Sequence, residues 1–195
     1  VLHEDKHSAA FRQEEPATGK ILIAEPFLKD PNFTRSVILL CQHQEAGSFG
    51  FIINKLFSQT LDDLIPETHA EDTPVYFGGP VQLDTVHFIH RVPELIEGGL
   101  PVVPGVYWGG DFERAVELLR LGLIHQTQIK FFIGYSGWEE GQLAHELKEH
   151  SWIVSSVNQA LLFDEEESKV WTTSLRSMGS EFAAMANYPV DPSLN

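Results

Sequence analysis

The chain has 195 residues, 43% of them hydrophobic, enough to bury a sizeable core in one domain of ordinary size. Thirteen Lys and Arg against 28 Asp and Glu give a net charge of −15, so the average surface repels nucleic acid and anionic membranes, and the basic residues never form a run. Cys41 is the sole cysteine, which excludes an intrachain disulfide and a cysteine-based zinc cluster and fits a reducing cytoplasm.

Residues 1–17 are polar, mixed in charge and without an apolar period, and they read as a flexible N-terminal arm ahead of a single domain over 18–195. His3, Glu4, Asp5 and Lys6 do not form a basic then apolar export signal. No stretch approaches the roughly 18 apolar residues of a membrane span, so a cytoplasmic protein is expected.

Ile21-Leu22-Ile23-Ala24 reads as a buried strand. Ser36 to Cys41 and Phe49 to Asn54, separated by Ala46-Gly47-Ser48, read as an antiparallel hairpin. Thr60 caps a short helix that carries Asp62 and Asp63 in its first turn and stops at Pro66. Pro74 to Phe77 and Leu83 to His90 form strands around Gly78-Gly79-Pro80. Asp111 caps a helix whose Phe112, Ala115, Val116 and Leu119 share a face and which ends at Gly122.

Phe131-Phe132-Ile133 predicts a buried strand, Gly134 to Gly137 a tight turn, and Trp138 onward the start of a helix with Leu143 and Leu147 on its apolar stripe. Trp152 to Val154 returns as a strand, and Val170, Trp171, Leu175 and Met178 line a last helix ending at Gly179. Strands crowd the first half, helices the second, and no regular alternation recurs. The fold class is therefore α+β with a mixed sheet rather than a doubly wound one.

Several segments together resemble the YqgE/AlgH family of bacterial proteins. They are Gly19 to Ala24 with Pro26; Asp30-Pro31-Asn32-Phe33 with Arg35; Leu40-Cys41 with His43; Ile53-Asn54; Phe77-Gly78-Gly79-Pro80-Val81; Gly105-Val106-Tyr107; and above all Gly134-Tyr135-Ser136-Gly137-Trp138 with Gly141-Gln142-Leu143 and Trp152. The resemblance implies a bifurcated mixed sheet with a small closed barrel-like part, surrounded by helices, in a bacterial cytosolic protein without an established activity. Some relatives carry a transcriptional-regulator label, which the charge of −15 opposes for direct DNA binding. Two departures stand out: Leu56 occupies the place of the usual Asn-Arg-Pro, and Ala144 that of the usual Glu, leaving Glu146 as a possible substitute.

Cys41 and His43 lie two apart on a predicted strand, so both side chains leave one face, and an imidazole there would favour the reactive thiolate. Against this, Cys41 ends an apolar run, where cysteines are usually inert. Ser136 sits at the predicted strand-to-helix turn, as a hydrolase serine does, but in Gly-Tyr-Ser-Gly rather than Gly-x-Ser-x-Gly, and capping explains it as well. Gly78 and Gly79, with Tyr135, Ser136, Trp138 and Gln142, are the candidate ligand-binding residues, because glycine admits close backbone approach and the aromatic residues can wall a cleft.

His145 and His150 are five apart and diverge by about 140° on a helix, which does not suit zinc; His145 with Glu149 and Glu146 with His150 make ordinary surface pairs. His87 and His90 point to opposite strand faces. No metal or cofactor is expected, and the partner is a small molecule or a protein of unknown identity. Three functions stand: a non-catalytic regulatory or adaptor domain, a thiol enzyme or redox sensor using Cys41 with His43, and a transcriptional regulator, which the net charge of −15 disfavours.

Overall fold

The computed structural model describes residues 13–190. The expected arm is described only at its end, where the Gln13 side-chain amide donates to the Trp152 carbonyl at 2.9 Å and Glu14 pairs with Lys20 and Ser156. Residues 1–12 lie outside the described part.

Among the described residues ten strands form one mixed sheet: β1 (Ile21–Ala24), β2 (Val37–Gln44), β3 (Gly47–Ile52), β4 (Leu56–Thr60), β5 (Pro74–Phe77), β6 (Val81–His90), β7 (Leu100–Val103), β8 (Val106–Trp108), β9 (Ile129–Glu139) and β10 (Trp152–Ser155). Six α-helices accompany them: α1 (Leu61–Leu64), α2 (Phe112–Arg120), α3 (Gln142–Lys148), α4 (Gln159–Phe163), α5 (Glu167–Ser177) and α6 (Ser180–Met185). The expected caps form, with Thr60 in a capping box on Asp63 and Asp111 accepting from the Arg114 amide. Helix α6 is not foreshadowed; it begins just past Gly179, the expected final stop.

The strand order is β10-β1-β2-β3-β9-β6-β8-β7, with β5 parallel to β9 and β4 on the outer side of β5. Residues 131–133 of β9 pair with both β6 and β5, whereas residues 136–139 pair with β3. One edge of β9 thus serves β5 and then β3, and the sheet forks there.

The fork is a backbone joint. Gly78 donates to the Ile133 carbonyl, and its own carbonyl accepts from the Ile52 amide at 2.9 Å and the Ser136 hydroxyl at 3.0 Å. A Cβ on Gly79 would stand 2.3 Å from the Tyr135 carbonyl, so only glycine lets the two segments meet.

The closed barrel-like part does not form. The sheet curls until a Cβ on Gly19 would lie 2.3 Å from the Val102 carbonyl oxygen of β7, yet no ladder joins its two ends. Hydrophobic residues fill both faces. Ile21, Leu39, Phe51 and Phe132 pack under α5; Phe88, Phe131 and Ile133 pack against α2; Leu22, Ile38, Leu40 and Trp138 pack against α3. Burying one such side chain contributes about 1.5–3 kcal/mol.

Candidate functional site: an aromatic cleft

Strand β9 does not turn at Gly134 but runs on to Glu139, which displaces the expected strand-to-helix turn to Glu140 and Gly141. Ser136 is therefore a fully buried strand residue that donates to the Gly78 carbonyl, not an exposed nucleophile at a helix start. Gly78 and Gly79 are buried with it in the joint, so these three do not line a cleft.

Cys41 and His43 are separated by a β-bulge. Leu40 pairs with Gly50 and Gln42 with Phe49, which leaves Cys41 as the extra residue and reverses the strand's in-and-out phase. Cys41 points into the core beneath α5, where desolvation pushes its thiol well above the ordinary range. His43 faces the α3 side, beside Leu143 and Ala144, with its Nδ1 2.6 Å from the Ser48 hydroxyl. The expectation that they share a face fails at the bulge. Among the described residues nothing hydrogen-bonds the second ring nitrogen of His43, so a triad around Ser48 is not assembled.

Tyr135, Trp138 and Gln142 do converge on a cleft of about 800 Å³. Gln42, Gln44, Gly47, Ser48 and Phe49 come from the β2–β3 hairpin, Val81 and His87 from β6, Trp108 from β8, and Glu139 from the end of β9.

Four half-buried rings close a cycle in this wall. Centroid separations are 4.8 Å from Phe49 to Trp108, 6.5 Å from Trp108 to His87, 6.1 Å from His87 to Tyr135 and 6.0 Å from Tyr135 to Phe49. Three of the four contacts are steeply edge-on, between 66° and 86°. Phe51, fully buried, supports the cycle from below at 6.0 Å from Phe49 and 5.2 Å from His87. The Thr85 hydroxyl spends its hydrogen on the Gln82 carbonyl, so at 3.1 Å it accepts from Nε2–H of His87. Burial lowers the His87 pKa, which keeps the ring neutral at neutral pH.

The second wall is set by Glu146. Its Oε2 accepts from the indoles of Trp138 at 2.8 Å and Trp152 at 2.7 Å, while Oε1 accepts from the Gln142 amide at 3.0 Å. Gln142 in turn accepts from the Glu139 backbone N–H. Glu146 thus ties Trp138, Trp152 and Gln142 together, whereas Ala144 is exposed. Among the described residues no ion pair joins Glu146 to His150, whereas His145 does pair with Glu149 at 3.4 Å. Among the described residues no cluster of three His, Cys, Asp or Glu could hold a metal ion.

Phe49, His87 and Trp108 were invisible as site residues in the sequence. Each sits on a different strand, and only the pairing of β3, β9, β6 and β8 brings them together. The one available signal was the alternation in Phe49-Gly50-Phe51, which places Phe49 and Phe51 on one face.

A family model described as AlgH-like matches residues 21–183. A protein named UPF0301 from Chlorobaculum tepidum is 42% identical over 177 residues, covering 91% of this chain and 95% of its own length. One of the same name from Bacteroides fragilis is 43% identical over 181 residues, with 92% of each covered. Among solved structures, a protein of Corynebacterium diphtheriae superposes with a TM-score of 0.75 at 21% identity, over 92% of this chain and 96% of that one. The AlgH protein of Pseudomonas aeruginosa gives 0.71 at 24%, over 91% and 98%. These two structures share the fold.

Proposed function

The chain belongs to the AlgH-like family, and from that premise we propose that it is a non-catalytic regulatory or adaptor domain of the bacterial cytoplasm that binds a small ligand in the aromatic cleft. The observation that carries this reading is the separation of chemistry from concavity. The rings of Phe49, His87, Trp108 and Tyr135 line the cleft, whereas Cys41 and Ser136, the candidate nucleophiles, are buried elsewhere. A mostly apolar pocket with a few fixed polar groups is what small-molecule recognition requires. A single unpaired thiol supports the cytoplasmic setting.

The test is a fragment screen read by the NMR signals of the four tryptophan indoles. Binding in the cleft shifts the Trp108 indole and leaves that of Trp171, which donates to the Ala24 carbonyl in the core, in place. Hits that map away from Trp108, or none at millimolar concentration, would count against the cleft.

A further inference from the structure

We infer that the cleft selects an organic cation, a substituted ammonium group carried on a small apolar or aromatic body. The inference rests on the cleft being a ligand site and adds the charge of its occupant.

Three observations carry it. First, Phe49, Trp108, His87 and Tyr135 form a closed cycle of contacts, with Phe51 beneath them. Ring faces carry negative quadrupolar potential, and a cleft lined by several aromatic rings offers it to a cation, the interaction by which quaternary ammonium groups are recognised. Second, the only formal charge among the lining residues is the Glu139 carboxylate, and neither lysine nor arginine is among them. A phosphate or carboxylate ligand would meet no counter-charge there, and the whole molecule, at −15, repels it before contact. Third, the remaining polar lining is chiefly amide and hydroxyl: Gln42, Gln44, Gln142 and Ser48. Amide oxygens and hydroxyls solvate an ammonium group without neutralising it, and the neutral His87 ring adds no repulsion.

The experiment titrates the full chain with three probes of similar size, reading the Trp108 indole signal: phenyltrimethylammonium, N,N-dimethylaniline, which is neutral at neutral pH, and benzoate. The cation should bind about tenfold more tightly than the neutral probe, with benzoate weakest. Glu139→Gln, a change at an exposed residue, should weaken only the cation, by about threefold, and make its affinity less sensitive to salt. Trp108→Leu, with folding checked by circular dichroism and binding read at the indole of Trp138, which also lines the cleft, should abolish most of the preference for the cation. Equal binding of cation and neutral probe, or a preference for benzoate, would overturn the charge assignment while leaving the cleft as a ligand site. Failure of all three probes to shift Trp108 would remove both readings.

Discussion

Lys130 places an ammonium group in the core, with only 8% of the residue exposed. Its Nζ donates to the Ile53 carbonyl at 3.1 Å and lies 4.2 Å from the centre of the Tyr76 ring, whose hydroxyl donates to Glu167 at 2.5 Å. These contacts do not replace lost hydration. Burial lowers the Lys130 pKa from 10.5 to about 8, with the Glu167 charge opposing the shift. Below pH 8 the folded and unfolded chains both hold the proton, and the folded state bears the full cost, about 3 kcal/mol. Between pH 8 and 10.5 the unfolded chain binds more protons, so this residue's penalty fades as pH rises. Urea unfolding of the wild type and Lys130→Met from about pH 7 to about pH 10 isolates the effect. The wild type should gain on the variant by about 2 kcal/mol across that range; a pH-independent difference would refute it.

Cys41 and His43 show how far residue-level reading reaches. Alternation along β2 puts positions two apart on one face, and that rule is sound for a regular strand. The bulge at Cys41 inserts one residue and inverts everything after it. Nothing in Leu39-Leu40-Cys41-Gln42-His43 announces a bulge, because its cause is the pairing of Leu40 with Gly50 and Gln42 with Phe49 on the opposite strand.

At the scale of elements, β9 organises the fold, and its weak point is the glycine in its middle. Gly134 has φ of 66°, and a Cβ there would stand 2.3 Å from the Gly79 carbonyl oxygen and 2.9 Å from Leu83. Gly141, which precedes α3, has a similar φ of 73° but nothing within 4 Å of its would-be Cβ. The two separate backbone strain from steric clash. Gly141→Ala should cost about 1–2 kcal/mol, the left-handed penalty alone. Gly134→Ala should cost about 3 kcal/mol or more, because backbone of the fork must also shift. Denaturant midpoints of both variants check this, and equal losses would mean that the fork yields freely. The same glycine explains a misreading: Gly134 and Gly137 resemble turn punctuation in sequence, but in the structure both lie within β9, where Gly134 admits the close backbone of Gly79 and Val81 and Gly137 sits against the Tyr135 ring.

For the whole molecule, the net charge opposes polyanionic partners. With a net charge of −15, the phosphate attraction that supplies nonspecific DNA binding is reversed in sign. We expect no retardation of any DNA fragment at low salt, and a regulatory role would act through a ligand or another protein. Retardation that weakens steeply with added salt would overturn this. No described helix is long and apolar enough to cross a membrane.

The amino-acid order by itself determined the local elements: the hairpin of β2 and β3, the capped starts of α1 and α2, the buried run of β9 and the α+β class. Each is set by period, capping and turn chemistry within a few residues, interactions that a sequence displays directly. Family membership was legible too, because it rests on ordered motifs. Tertiary structure alone decided the function of those motifs. It turned Gly78, Gly79 and Ser136 into the joint of a forked sheet, sent Cys41 and His43 to opposite faces, and collected Phe49, His87, Trp108 and Tyr135 around one cleft. These outcomes depend on which strands pair and in what register. Such contacts are long-range, and no local preference of the chain encodes them.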